Sequence, residues 1–88
     1  MKFILVVLED SDSQDVIQAL VEAGYSVTRL TSGGGLLRRG RQIFFSGVED
    51  DHVDRVIALI REHLPPREEQ SARRGMIFVL PMEDFVRV

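Results

Sequence analysis

KFILVVLEDSDSQDVIQALVEAG, residues 2–24, passes from an apolar run through an acidic segment into a helical pattern and stops on glycine. The run KFILVVL (2–8) is continuous and rich in branched residues, which predicts a central strand buried on both faces. EDSDSQ then offers Ser11 or Ser13 as a helix N-cap, with acids near the positive end of the helix dipole. Val16, Ile17, Leu20 and Val21 fall on one helical face, and Gly24 suits a left-handed residue at the helix end. Forty residues later the order recurs: LED (8–10) falls on VED (48–50), Val16-Ile17 on Val56-Ile57, Leu20 on Ile60 and Glu22 on Glu62. Two strand–acid–helix units at equal spacing predict a duplicated half.

The rest of the chain fits around these units. YSVTRLT (25–31) reads as a second strand and QIFFSGV (42–48) as a third. Asp50 or Asp51 is the expected cap of a second helix with the stripe Val53, Val56, Ile57, Ile60 and Leu64, stopped by Pro65 and Pro66. REEQSARRG (67–75) is polar and aperiodic, hence a loop, and GMIFVLP (75–81) is the last strand. MEDFVRV (82–88) is a tail that either folds back or pairs with a neighbour. With right-handed crossovers, this order gives an α+β, ferredoxin-like βαββαβ domain over residues 1–88. Its four-stranded antiparallel sheet carries both helices on one face. The other face needs cover, and a chain of 88 residues can obtain it only from another subunit.

Bulk composition agrees. A hydrophobic content of 44% with 28% charged residues suits a folded globular chain. A chain this short buries only about 60–65% of its unfolded surface, so oligomerisation is the expected source of further stability. With no cysteine there is no disulfide, thiolate metal site or thiol catalysis. Phe3–Leu8 is too short to span a bilayer and lacks a following cleavage site, so it is neither membrane helix nor signal peptide, and a cytoplasmic protein is expected. A net charge of −3 argues against general nucleic-acid binding.

The basic charge is local. Arg29, Arg38, Arg39 and Arg41 fall within thirteen residues free of acids, whereas acids gather at 9–15 and 49–54. Within that basic stretch lies TSGGGLLRRGR (31–41). Three successive glycines supply adjacent N–H groups that can cradle an anion, and the arginines add bidentate phosphate contacts. A P-loop is excluded, because G-x-x-x-x-G-K-S/T is absent and the segment joins two strands. A solvated loop with arginines for solubility is the plainer alternative. Leu36 and Leu37 favour instead a pocket wall or an intersubunit contact, although they also suit anchoring the loop to the core.

These residues resemble the PII-like cyclic di-AMP receptors. That family begins with a strand ending in Q-D-x-D-S, then a helix ending in V-E-A-G. It continues A-T-K-L-x-S/T-T-G-G-F-L-R-x-G-N-T-T-F-L-x-G-V-E/D-D-x-x-V-D. Here the text is LEDSDSQ, then VEAGYSVTRLTSGGGLLRRGRQIFFSGVEDDHVD, and the likeness runs from residue 1 to about 64. It resumes at MIFVLPMEDFVRV, similar to the family's ending T-V-F-V-L/M-P-V-x-x-F-x-x-F. The resemblance implies a ferredoxin-like homotrimer with ligand between subunits, and a cleft lined at Thr28, Gly35, Leu37 and Gly47. Leu36 stands where the family has a base-stacking aromatic, Arg41 where it has a base-recognising asparagine, and Ser26 where it has an arginine. The family's long loop before the last strand is reduced to REEQSARRG, which looks like the short loop of the classical PII nitrogen-regulatory proteins. There glycines and basic side chains hold phosphates; Arg73, Arg74 and Gly75 match them, with Arg87 at the basic position of the tail.

The expected function is therefore a PII-like sensor, not an enzyme, that binds cyclic di-AMP or an adenine nucleotide between subunits and regulates a protein partner. The backbone of Gly33, Gly34 and Gly35 with the side chains of Arg38, Arg41, Arg73 and Arg74 forms the expected phosphate site, and Arg29, Gly47 and Gly75 are further expected ligand-binding residues. Thr28, Leu36 and Leu37 are the expected base or sugar contacts. No cofactor or metal is expected. The alternative is a trimeric interaction module with an unused pocket. A catalytic reading would rest on His52 and His63 with Asp10, Asp50 or Asp51, but both histidines have sufficient structural roles near helix ends.

Overall fold

The computed structural model describes residues 1–30, 40–64, 75–83, 86 and 88. Its elements are β1 (Lys2–Glu9), α1 (Asp10–Glu22), β2 (Thr28–Leu30), β3 (Arg41–Val48), a 3-10 turn (Asp50–His52), α2 (Val53–Glu62) and β4 (Gly75–Pro81). The strands form one sheet in the order β2-β3-β1-β4, with every neighbouring pair antiparallel. This is the expected ferredoxin-like α+β arrangement. β1 is central, between β3 on one side and β4 on the other.

Strand alternation sorts the side chains into two layers. Ile4, Val6 and Leu8 of β1 and Phe44 and Val48 of β3 are buried against Val16, Ile17 and Leu20 of α1 and Val56 and Ile60 of α2. Each such side chain contributes about 1.5–3 kcal/mol when fully buried. The intervening residues face the other way. Phe3 pairs with Gly47 and Leu80, Leu5 with Phe45 and Phe78, and Val7 with Ile43 and Met76, so these nine positions share the helix-free face. On it Phe3 leans diagonally onto Phe45, ring centroids 4.9 Å apart, because Gly47 opposite offers no side chain. Phe78 and Leu80 remain 44% and 48% exposed.

The helix ends correct several local expectations. α1 starts at Asp10 directly after β1, so Ser11 and Ser13 lie inside the helix and neither is the N-cap. Glu9 holds that position without a side-chain cap, while Ser13 Oγ donates back to the Asp10 carbonyl at 3.1 Å. The reason is the missing connector: with no residue between strand and helix, the serines arrive one turn too late. The Asp10 N–H is met instead by the Gly40 carbonyl at 2.7 Å. The other end of α1 is as expected. Gly24 has φ +96°, its N–H donates to Val21 O at 3.0 Å, and the Tyr25 N–H donates to Leu20 O at 3.0 Å, which is a Schellman closure.

That closure also explains why β2 begins at Thr28 and not at Tyr25: Tyr25 still belongs to the helix exit and packs on the core. Asp50 and Asp51 sit in the 3-10 turn and do not cap α2 through their side chains; His52 precedes its first residue. The tail begins by folding onto its own chain, the Met82 N–H donating to Met1 O at 3.1 Å.

Candidate ligand-binding site

The register separates the anticipated site residues into three places. At one end of the sheet Arg41 pairs with Glu9 and Gly75 with Leu8, so the two flank the end of β1. The stretches 31–39 and 65–74 are bordered by Leu30 and Gly40 and by Leu64 and Gly75. Gly33, Gly34, Gly35, Leu36, Leu37, Arg38, Arg73 and Arg74, like Arg87, lie outside the described residues. Gly75 has a packing reason of its own: a Cβ there would run into the Val7 carbonyl oxygen and come within 2.6 Å of a Leu8 methyl.

Thr28 and Gly47 form the second group. Thr28 pairs with Phe45 and Gly47 with Phe3, and both belong to the helix-free face. Gly47 is six residues along β3 from Arg41, about 20 Å at strand rise. Arg29 is the third case. It pairs with Phe44 on the helix side, and its Nη2 donates to Gln14 Oε1 at 2.9 Å, so the sheet separates it from Thr28 and Gly47.

Beside Gly47 opens a cavity of about 200 Å³ lined by Gly24, Tyr25, Ser26, Gly47, Glu49 and His52, among others. In its wall the Tyr25 hydroxyl meets His52 Nδ1 at 2.8 Å, the two rings standing edge to face with centroids 5.7 Å apart. Sequence reasoning missed Tyr25 and weighed His52 only as a helix-end residue or, with His63, as a catalytic candidate. The sole local signal was the aromatic directly after a helix-ending glycine. Partnership with a residue 27 positions away has no local signature.

Electrostatics at this end of the sheet are acidic. Asp50 lies 3.0 Å from the Met1 ammonium, whose hydrogen bond and charge hold its carboxyl below the ordinary carboxylate range. His52 Nε2 lies 4.0 Å from Asp51. His63 stands at the far end of α2 and donates from Nδ1 to Leu59 O at 2.9 Å. The two histidines are thus not brought together. Among the described residues, no three His, Cys, Asp or Glu side chains converge as a metal-binding group. No helix among them is long and apolar enough to cross a membrane.

The βαββαβ chain thus carries Thr28 and Gly47 on the helix-free sheet face, with Arg41 at the end of that face. The family model for the cyclic-di-AMP receptor matches residues 1–76, and the chain belongs to that family of nucleotide-binding signalling receptors. The match ends one residue into β4 after Gly75, so the likeness anticipated for the final strand and tail lies beyond it. Among solved structures, the chain is similar to a functionally unknown protein from Pediococcus pentosaceus ATCC 25745. That pair shares 24% identity at a TM-score of 0.78, over 99% of this chain and 96% of the other, a likeness of fold.

Proposed function

We propose that the protein is a homotrimeric PII-like sensor that binds cyclic di-AMP or an adenine nucleotide in clefts between subunits and regulates a partner protein. The observation that carries this reading is the apolar, helix-free sheet face with Thr28 and Gly47 upon it. Covering that face with neighbouring copies turns the Thr28–Gly47 strip into the wall of an intersubunit cleft. Arg41, with the backbone of Gly33, Gly34, Gly35 and Gly75 and the side chains of Arg38, Arg73 and Arg74, would hold phosphate. Leu36 and Leu37 would supply apolar contact to the sugar or base. Ordering of the segments around these residues would present a new surface to the partner. Calorimetry with cyclic di-AMP, ATP, ADP and AMP tests the reading; absence of binding below millimolar for all four would sink it.

A second reading, a trimeric interaction module with an unused pocket, draws on one observation. The Met82 Cε occupies the space above Gly47. This reading expects a trimer indifferent to nucleotides, with partner binding unaffected by Arg38→Ala and Arg41→Ala.

A further inference from the structure

We propose that the Tyr25–His52 pair is the base-reading element of the cleft, which extends the proposed function and rests on it. The cavity it borders measures about 200 Å³. Pockets that enclose a whole ligand span about 300–1,000 Å³, so this one suits a single ring system with the remainder of the ligand lying outside it. Its chemistry favours a base over a phosphate. Glu49 lines it, Asp50 and Asp51 follow in the adjoining turn, the Met1 ammonium on its lining is paired with Asp50, and among the described residues the lining includes no arginine or lysine side chain. The arginine of the described site, Arg41, lies at the opposite end of β3. A bound nucleotide is therefore oriented with its base toward Tyr25 and His52 and its phosphate outside the cavity, toward a neighbouring subunit.

The pair is suited to reading a heterocycle edge. When the Tyr25 hydroxyl donates to Nδ1, the pair presents an Nε2–H donor and a phenolic oxygen acceptor. When Nδ1–H donates instead, the hydroxyl becomes the outward donor and Nε2 the acceptor. Either tautomer thus offers one donor and one acceptor, at opposite ends of the hydrogen-bonded pair, to the polar atoms of a heterocycle. Ser26 adds a hydroxyl to the same wall, and the crossed rings add an apolar face. This supplies base recognition by groups other than the aromatic and asparagine replaced here by Leu36 and Arg41.

The chain offers a clean reporter, because Tyr25 is its one tyrosine and it has no tryptophan. Cyclic di-AMP and AMP are titrated into the full chain, with inorganic pyrophosphate as the phosphate-only arm. Tyrosine emission is followed, corrected for nucleotide absorption, together with the ¹⁵N shifts of His52; His63 serves as the internal reference. The expected result is a saturable change at Tyr25 and His52 with both adenine ligands, none with pyrophosphate, and a fixed His63. Tyr25→Phe and His52→Gln should each weaken adenine-ligand binding about tenfold, while pyrophosphate binding, where detectable, stays the same. Binding that leaves Tyr25 and His52 silent overturns the inference alone, and so does equal loss of pyrophosphate binding in the variants. No binding of cyclic di-AMP, AMP, ADP or ATP by the wild-type chain removes the proposed function and the inference together.

Discussion

The Met82 Cε lies 2.9 Å from the point where a Cβ on Gly47 would stand. A residue from just beyond the last strand thus fills the space that the glycine leaves open on the sheet face. The obstacle is the free end of a flexible thioether, which can rotate away. Gly47→Ala is therefore expected to change stability by less than about 1 kcal/mol, since a methyl displaces only a mobile group. Ligand affinity should fall much further if the strip beside Gly47 lines the cleft. Denaturant unfolding and calorimetry on the same variant separate the two effects, and equal losses in both would mean that Gly47 serves packing alone.

Gly75 is expected to behave in the opposite way. A methyl there meets the Val7 carbonyl and Leu8, which belong to the central strand and cannot swing aside. Gly75→Ala should cost about 1–3 kcal/mol through overpacking. Urea midpoints measure this, and a variant as stable as wild type would show that the β1–β4 pairing is looser than described.

Ser46 is buried on the helix side of β3, and its hydroxyl has no hydrogen-bond partner among the described residues. A buried, unpaired polar group costs about 1–3 kcal/mol. Ser46→Ala should thus raise stability by about 1 kcal/mol, allowing for the small void left behind. A clear loss of stability in thermal melts would point to a partner for the hydroxyl.

The Asp50 carboxyl titrates below the ordinary range because the Met1 ammonium donates to it and lies beside it. The sign follows from linkage: a depressed folded-state value stabilises the fold above the unfolded-state value, and that contribution fades as pH falls through the folded-state value. Acetylating the amino terminus should return the Asp50 titration toward the ordinary aspartate range, as read by carboxyl-carbon NMR. An unchanged titration would assign the shift to another charge. The effect on global stability is expected to be small, since both groups are open to solvent.

The exposed face carries the prediction about assembly. Phe78→Asp places a charge among Phe3, Leu5 and Phe45, where a neighbouring copy would have to desolvate it. Light scattering should show the wild-type chain as a trimer and the variant shifted to monomer, with its helical circular dichroism retained. A monomeric wild-type chain would overturn the argument from the uncovered face.

Periodicity made the β1–α1 and β3–α2 units legible, since both depend on local alternation and helical stripes. Gly24 was legible for the same reason: a left-handed helix end has a residue requirement of its own. Caps were misread because a serine near a helix start is a signal only when the strand has already ended, and here Glu9 closes β1 immediately before Asp10 begins α1. The length of β2 was overestimated because Tyr25 and Val27 look like strand residues, while the Schellman bonds that hold Tyr25 back are made by the main chain. Thr28 and Gly47 were singled out only through family likeness. Their common face follows from register, and the partnership of Tyr25 with His52 follows from tertiary packing, which no window of sequence contains.

The bond from Asp10 N–H to the Gly40 carbonyl has a practical consequence. Together with the Leu30–Ile43 pairing it fastens both borders of residues 31–39 to the scaffold, one to a neighbouring strand and the other to a helix start. The register of β3 on β1 and the start of α1 are thus held by bonds made outside residues 31–39. Exchange of residues 31–39 for other sequences is therefore expected to keep the frame while changing what it binds.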